Sequence, residues 1–146
     1  MISSARIHMR LDCLPVILLC ASLAACSGVK PDEPVASINM QPEAIGKELI
    51  MQANQTVPVS AMYQRTLKQS TRWRYAGSLP QGEIFRPINT VFTVEGMNVQ
   101  EAYLVVNAGQ LVGYYLPVER TYSRLDQTIQ LNVAPNNPIN PEKINP

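Results

Sequence analysis

The clearest pattern along this chain is the alternation of polar and apolar residues in its second half. Arg72-Trp73-Arg74-Tyr75 alternates charged with aromatic side chains, which is the two-residue period of a β-strand. Residues 128–133 alternate in the same way. Val99–Asn107 is apolar on both sides, with Leu104 and Val106 on one face and Tyr103 and Val105 on the other. This last segment is therefore predicted to be a central strand.

Turn signals divide the same half of the chain into short pieces. Gly77–Gly82, Glu95-Gly96-Met97-Asn98 and Asn107-Ala108-Gly109-Gln110 each contain the glycines or asparagines that tight turns need. Pro87 and Pro117 each end an apolar run. The pattern predicts an antiparallel meander of five or six strands, one of whose faces must be covered.

One helix is predicted ahead of this sheet, from Pro42 to about Asn54. Proline is favoured in a first helical turn, and Ile45, Leu49 and Ile50 follow an i, i+4, i+5 spacing that would form one apolar face. The expected fold class is α+β, mainly β, with this helix lying over the sheet in a domain of residues 42–133.

The two flanks of the domain read as less ordered. Residues 26–41 contain Pro31 and Pro34 and are predicted to be a flexible linker. Residues 134–146 are rich in proline and asparagine, and we expect a disordered tail. An alternative for the tail is that it docks on a partner as an extended strand.

The N-terminus has the three parts of a bacterial export signal. Arg6 and Arg10 supply positive charge, and an apolar run follows from Cys13 to Ser22. Such a run covers only about 15 Å as a helix, about half of a bilayer core, and is too short to span a membrane. Met9 is a possible alternative start.

The run ends at Leu23-Ala24-Ala25-Cys26, which resembles the lipobox of bacterial lipoproteins at all four positions. The resemblance implies that residues 1–25 are a signal peptide, cut between Ala25 and Cys26. It also implies that Cys26 carries a thioether-linked diacylglycerol and an acylated amino group, and two or three acyl chains hold a protein stably on a membrane. An ordinary secretory signal, cut after an Ala-x-Ala-like site, remains the alternative.

The residue after Cys26 is Ser27 and not Asp. In enteric-like bacteria the lipoprotein resemblance then implies export to the outer membrane, facing the periplasm, instead of retention in the inner membrane. Localisation in the cell envelope, through a lipid anchor, is therefore expected.

Composition excludes several kinds of chemistry. The three cysteines lie at or before Cys26, and His8 is the one histidine, so neither a Ser-His-Asp triad nor a zinc site of the usual Cys/His type can form after the signal. We expect no metal and no cofactor. Of 12 basic and 11 acidic residues, Arg6, Arg10 and Asp12 precede Cys26, so the remaining charges balance and favour no nucleic acid.

The first candidate site is a binding patch made of Arg72, Trp73, Arg74 and Tyr75. Guanidinium and aromatic groups together can bind sugar, peptide or phosphate. The alternative is a strand with one packed face and one charged face.

Two other groups of residues compete with this patch. Four tyrosines are expected to pack across strands, with Tyr103 near Tyr114 across the predicted turn at Ala108-Gly109; the group is Tyr103, Tyr114, Tyr115 and Tyr122. Three glutamates could supply an acid and base pair if two of them lay about 5–10 Å apart; they are Glu95, Glu101 and Glu119.

Two functions follow from these observations. In the first, the chain is a non-catalytic lipoprotein, the accessory or binding subunit of an envelope assembly of the secretion, conjugation or immunity/exclusion type, with a protein partner in the envelope and contact with the membrane through Cys26. In the second, it is a small envelope hydrolase that uses carboxylates. The absence of histidine and of free cysteine after the signal favours the first.

The lipid anchor can be tested directly. We expect a Cys26→Ala variant to leave the membrane fraction, because the acyl chains have no other attachment point in the lipobox. Fractionation of cells that express the native and variant chains measures this, with Ser27→Ala as the control that should stay with membranes. A Cys26→Ala chain that still fractionates with membranes would contradict the anchor.

Overall fold

The structure is a computed structural model and describes residues 32–60, 62–95 and 98–136. Its strands and its short 3-10 helix are, in chain order, β1 (Glu33–Pro34), the 3-10 helix (Pro42–Ala44), β2 (Glu48–Met51), β3 (Gln55–Pro58), β4 (Gln64–Leu67), β5 (Arg72–Leu79), β6 (Gly82–Pro87), β7 (Thr93–Glu95), β8 (Val99–Glu101), β9 (Tyr103–Asn107), β10 (Gln110–Leu116), β11 (Thr121–Gln130) and β12 (Val133–Asn136). The predicted mainly β, antiparallel character is confirmed.

Eight of these strands form one sheet in the order β1-β11-β10-β9-β6-β5-β2-β12, and every pairing within it is antiparallel. From β2 to β11 the order follows the chain, apart from two inserted hairpins, β3–β4 and β7–β8. The five or six strands predicted from the sequence are thus fewer than the eight strands of this sheet and the four strands of the hairpins. The edge strands β1 and β12 and the strands of both hairpins have only two to four residues each, too short for alternation to mark them.

The sheet curls strongly, and chain connectivity shows why. Only Leu131 and Asn132 separate β11 from β12, and such a link spans at most about 11 Å. The two strands are six positions apart in the sheet, which would be about 29 Å if the sheet were flat. The link joins the turn after β9 to the residue after β2, because Leu131 N–H donates to the Gly109 carbonyl at 3.0 Å and Gln52 N–H donates to the Asn132 carbonyl at 2.8 Å.

The predicted helix from Pro42 to about Asn54 is wrong. Its first residues form a single 3-10 turn, and Gly46 then takes a positive φ of 87°, which ends the turn. From Glu48 onward the chain is β2, in which Leu49 and Met51 share one face. The three residues of the predicted helical face are thus separated: Leu49 is in the core, Ile50 faces the other side of β2, and Ile45 is 60% exposed before the strand. Among the described residues there is no helix long and apolar enough to cross a membrane.

The predicted strand Val99–Asn107 is divided at Ala102. Ala102 N–H donates to the Phe92 carbonyl at 2.9 Å, so β8 belongs to the β7–β8 hairpin while β9 lies centrally in the large sheet. Within β9 the predicted faces are confirmed: Leu104 and Val106 belong to the main core and Val105 to a second cluster on the opposite face.

The concave, inner face of the curled sheet carries the main core. Large side chains from neighbouring strands meet there, and the hairpins β3–β4 and β7–β8 cover them with Val57, Leu67 and Val94. The Phe92 ring lies edge-on to Trp73, with centroids 5.5 Å apart, and stacks on Tyr114 at 5.9 Å. The cover predicted to be a helix is therefore supplied by two hairpins.

The outer face is covered in part by the residues between β1 and the 3-10 helix. Val35 and Ile38 pack on a smaller apolar cluster that includes Ile84, Val105 and Tyr115. Residues 33–41, which the sequence assigns to the linker, thus lie against the sheet, because two apolar side chains and the backbone bonds between Asn39 and Ser78 (3.0 and 2.7 Å) hold them.

The start of the predicted tail is also part of the sheet. Residues 134–136 continue β12, which pairs with β2. The rest of the predicted tail, residues 137–146, and the predicted signal, cleavage site and Cys26 lie outside the described residues.

A bulge interrupts β10 at Val112. Leu111 pairs with Val106, but Gly113 pairs with Val105, so Val112 is an extra residue with no place in the ladder. The Tyr122 hydroxyl donates to the Val112 carbonyl at 2.9 Å, and the Tyr122 ring crosses over Gly113, where a Cβ would lie 2.5 Å from the ring. Glycine at position 113 therefore leaves room for the Tyr122 ring, whose hydroxyl group donates to the Val112 carbonyl of the bulge.

We expect Gly113→Ala to destabilise the fold by about 1–3 kcal/mol, because the new methyl group would overlap the Tyr122 ring and the Ser123 carbonyl. Urea unfolding of the native and variant chains measures the change. Ala76→Gly, in the outer cluster but without this overlap, tests for a general effect of substitution in the sheet. An unchanged or higher midpoint for Gly113→Ala would contradict the proposed packing of Tyr122.

Candidate binding groove

A groove of about 750 Å³ opens between β11 and the two inserted hairpins. Its lining comes from the end of β3 and the loop after it, from both strands of the β7–β8 hairpin, and from the sheet. The apolar lining residues are Pro58, Val59, Met62, Tyr63, Val94, Tyr114, Leu116, Leu125 and Ile129.

The groove exists because β11 departs from the ladder along one wall. Gly113 pairs with Arg124 and Leu111 pairs with Ile129, so residues 125–128 of β11 face the single residue Val112 of β10. These four residues cannot all lie in the sheet beside one residue. They therefore bow out from it. Bulges of this kind re-aim side chains and are common beside binding sites.

Tyr114 lies in the floor of the groove and joins the sheet to the first hairpin. It is 2% exposed, and its hydroxyl donates to the Pro58 carbonyl at 2.7 Å. Burial raises the pKa of this phenol well above its ordinary value. The Tyr114 hydroxyl therefore stays protonated and serves as a structural donor.

Met62 and Tyr63 form an apolar rim. Met62 is 85% exposed and Tyr63 is 48% exposed. The loop that carries them is held by hydrogen bonds, since Val59 N–H donates to the Tyr63 carbonyl at 2.9 Å and Tyr63 N–H donates to the Ser60 hydroxyl at 3.2 Å. The structure thus presents two apolar side chains to solvent on a bonded turn.

The three candidate glutamates lie in different surroundings, although Glu95 and Glu101 share one face of the β7–β8 hairpin, where Glu101 pairs with Thr93. Glu95 lines the groove but forms an ion pair with Arg65. Glu101 is next to Tyr103, where burial first and then the Glu101 carboxylate raise the pKa of that phenol. Glu119 lies in the turn after β10. Within the described ranges no group of three or more His, Cys, Asp or Glu side chains is arranged to hold a metal ion.

The predicted patch Arg72, Trp73, Arg74 and Tyr75 is divided between the two faces of β5. Trp73 and Tyr75 are 2% and 5% exposed and belong to the main core. Arg72 and Arg74 are exposed on the outer face. The four residues therefore do not form one surface, and the alternative of one packed and one charged face is what the structure has.

The outer face holds a charged cluster that the sequence does not reveal. Glu48 is only 5% exposed. One of its carboxylate oxygens accepts Nε and Nη2 of Arg72 at 3.0 and 2.5 Å, and the other accepts Nε and Nη2 of Arg74 at 3.1 and 2.9 Å. Hydrogen bonds from Arg72, followed by those from Arg74, hold the pKa of Glu48 below its ordinary value against the opposing effect of burial.

The tyrosines pair differently from the prediction. Tyr103 lies opposite Tyr115, with ring centroids 6.3 Å apart, and Tyr114 lies opposite Leu104. The expected neighbours Tyr103 and Tyr114 are on different faces. The extra residue Val112 shifts the register between β9 and β10 by one, which moves every later pair to the other face.

Most of the groove could not have been found in the sequence. Met62 and Tyr63 are the one local signal, since they are large apolar residues directly before the mainly polar segment 64–70. Leu125 and Ile129 look like ordinary strand residues until the register of β11 is known.

Comparisons with known proteins find no matching family model, no matching curated protein and no matching solved structure.

The Glu48 cluster predicts a specific dependence of stability on pH. Because folding lowers the pKa of Glu48, its contribution is fully present above the unfolded value of about 4.5 and is lost as pH falls through the folded value. We expect Glu48→Gln to lower the free energy of unfolding by about 1–3 kcal/mol at pH 7. The loss relative to the native chain should become smaller between pH 5 and pH 3.

Urea unfolding at several pH values, with the exposed residue Glu43 changed to Gln as the matched control, measures this difference. Equal effects of the two substitutions at pH 7, or a Glu48→Gln effect that grows at low pH, would contradict the role assigned to Glu48.

Proposed function

We propose that this chain is a membrane-anchored, non-catalytic lipoprotein of the bacterial envelope. It would serve as the accessory or binding subunit of an envelope assembly of the secretion, conjugation or immunity/exclusion type. The observation that carries the proposal is the open apolar groove with Met62 and Tyr63 exposed at its rim.

The anchor is proposed from the lipobox resemblance at Leu23-Ala24-Ala25-Cys26. Its geometry is compatible with the groove. Six residues separate Cys26 from Glu33, where β1 begins, and an extended segment of this length covers at most about 25 Å. A lipid on Cys26 would keep the groove close to the bilayer. Ser27 in place of Asp after the lipidated cysteine favours the periplasmic side of the outer membrane.

The groove has the properties of a recognition site. Its volume of about 750 Å³ lies within the usual range of ligand sites, about 300–1,000 Å³. Its lining is mainly apolar, and contiguous apolar surface of this kind is typical of interaction and ligand sites. Because the groove runs beside an edge region of β11, an extended segment of a partner protein is the ligand that suits it best.

The hydrolase alternative has less support. Carboxylate catalysis of the glycosidase type needs two acidic side chains across one scissile bond, about 5–10 Å apart. Of the three candidate glutamates, Glu95 alone lines the groove, and its carboxylate is engaged by Arg65.

The proposal can be tested by photo-crosslinking in intact cells. A photoreactive amino acid at Met62 should capture a discrete envelope protein, because this side chain stands free at the groove rim. The matched control is the same amino acid at Lys68, which is exposed but does not line the groove. Capture is read as a shifted band and identified by mass spectrometry.

Capture at Met62 and not at Lys68 would support a partner that docks in the groove. Equal capture at both positions, or none at either, would argue against this binding role. Glu95→Gln and Asp126→Asn, which replace two carboxyl groups that line the groove, would then be assayed on envelope glycans and peptides to test the hydrolase alternative.

A further inference from the structure

One part of the outer face carries a row of polar side chains that crosses four neighbouring strands. Glu48 of β2 faces Arg74 of β5, and Arg74 faces Arg86 of β6. Extending the β6–β9 register by one residue places Tyr103 of β9 opposite Arg86. Burial, followed by the Glu101 carboxylate, raises the pKa of the Tyr103 phenol, and the Arg86 guanidinium opposes this rise. The Arg86 and Tyr103 side chains are therefore close to each other.

Arg74 and Arg86 are like charges that lie directly opposite each other. Opposed residues of an antiparallel pair have Cβ atoms about 4.5–5.5 Å apart, and like charges at this spacing destabilise a sheet. Arg74 is bonded to Glu48, whereas Arg86 takes part in none of the ion pairs of the described residues. Both arginines are exposed. An anion that bridges their guanidinium groups would turn this repulsion into attraction.

Glu48 holds two of the three guanidinium groups of this surface in place. It binds Arg72 and Arg74 through Nε and Nη2 of each, so that these hydrogen bonds leave the Nη1 donors of both unused. With Arg86, three guanidinium groups accompany one buried carboxylate, a net charge of +2. The charge stays positive when Glu101 at the Tyr103 end is included. The surface is thus preorganised for an anion.

We propose that Arg72, Arg74 and Arg86 bind the phosphate group of an anionic lipid headgroup. Phosphate suits this surface because guanidinium groups bind it with paired, charge-assisted hydrogen bonds and because its several oxygens can engage more than one arginine. The phosphate site itself does not depend on the function proposed above. Its occupation by a lipid does, because it rests on the proposed anchor at Cys26.

The geometry favours a lipid as the source of the phosphate. β6 is four positions from β1 in the sheet, about 19 Å if the sheet were flat. The segment between Cys26 and β1 covers at most about 25 Å, so an anchored chain can bring this surface to the bilayer that holds it. Basic side chains near such a surface are attracted to anionic lipids. The groove hairpins cover the opposite face of the sheet, so this orientation would direct the groove away from the lipid.

Titration of the native chain in a non-ionic detergent tests the site. The probes are potassium phosphate at pH 7, with potassium chloride of equal ionic strength as the reference, and phosphatidylglycerol added to the micelles. Arginine Nε–Hε resonances report binding by NMR. We expect saturable shifts at Arg74 and Arg86 with phosphate and with phosphatidylglycerol, and not with chloride.

Variants assign the binding to the proposed residues. Arg86→Gln should weaken phosphate binding about tenfold, because it removes charge-assisted hydrogen bonds. Arg86→Lys keeps the charge without the planar fork and should weaken it less. Lys68→Gln removes the same charge from an exposed position after β4 and is the matched control, which should change binding less than about twofold.

Equal weakening by Arg86→Gln and Lys68→Gln, or equal shifts in chloride and phosphate, would overturn the site. Shifts with inorganic phosphate and none with phosphatidylglycerol would overturn the lipid as its source and support a soluble phosphate compound. Loss of partner capture at Met62 would count against the proposed function of the groove and would leave the phosphate site supported by these titrations.

Urea unfolding separates binding from a structural role of Arg86. In chloride, Arg86→Gln should leave the unfolding midpoint unchanged or raise it, because it removes a like charge opposite Arg74. In phosphate, the native chain should gain more stability than the variant, because ligand binding stabilises the folded state. A lower midpoint of Arg86→Gln in chloride, or equal gains of both chains in phosphate, would contradict the proposed role.

Discussion

The extra residue at Val112 is the constraint on which the rest of the structure depends. It shifts the register between β9 and β10 by one position and leaves four residues of β11 opposite a single residue of β10. An unpaired carbonyl inside a sheet is costly, and Tyr122 satisfies it by reaching across Gly113. The glycine, the tyrosine and the bulge therefore form one unit.

The curled sheet depends on a second local feature, the two-residue link between β11 and β12. Such a short link is possible only if the two ends of the sheet approach each other, which turns one face inward and makes a single main core of it. The outer face is then left with a small apolar cluster under Val35 and Ile38 and with the Glu48 cluster. The curling of the sheet thus gives it an apolar inner face and an outer face that is partly charged.

The groove combines these two features. The bulge makes β11 bow outward, and the curl brings the inserted hairpins against its inner side, so that an apolar channel remains between them. The Tyr114 hydroxyl joins β10 to the β3–β4 hairpin by donating to the Pro58 carbonyl. The lipid anchor proposed on Cys26 would hold this channel near the bilayer.

The sequence by itself determined the mainly β character, the turn at Asn107–Gln110 and the alternation of β9, because a period of two and a glycine in a turn are local properties. Strand alternation also places Arg72 and Trp73 on opposite sides of β5, because successive residues of a strand face opposite ways.

Only the tertiary structure decided that Leu49 belongs to a strand, that Tyr103 meets Tyr115, and that Glu48 joins Arg72 and Arg74. These outcomes depend on register between strands. Register is set by the number of residues on each side of a bulge and by the closure of the whole sheet, which no local pattern records.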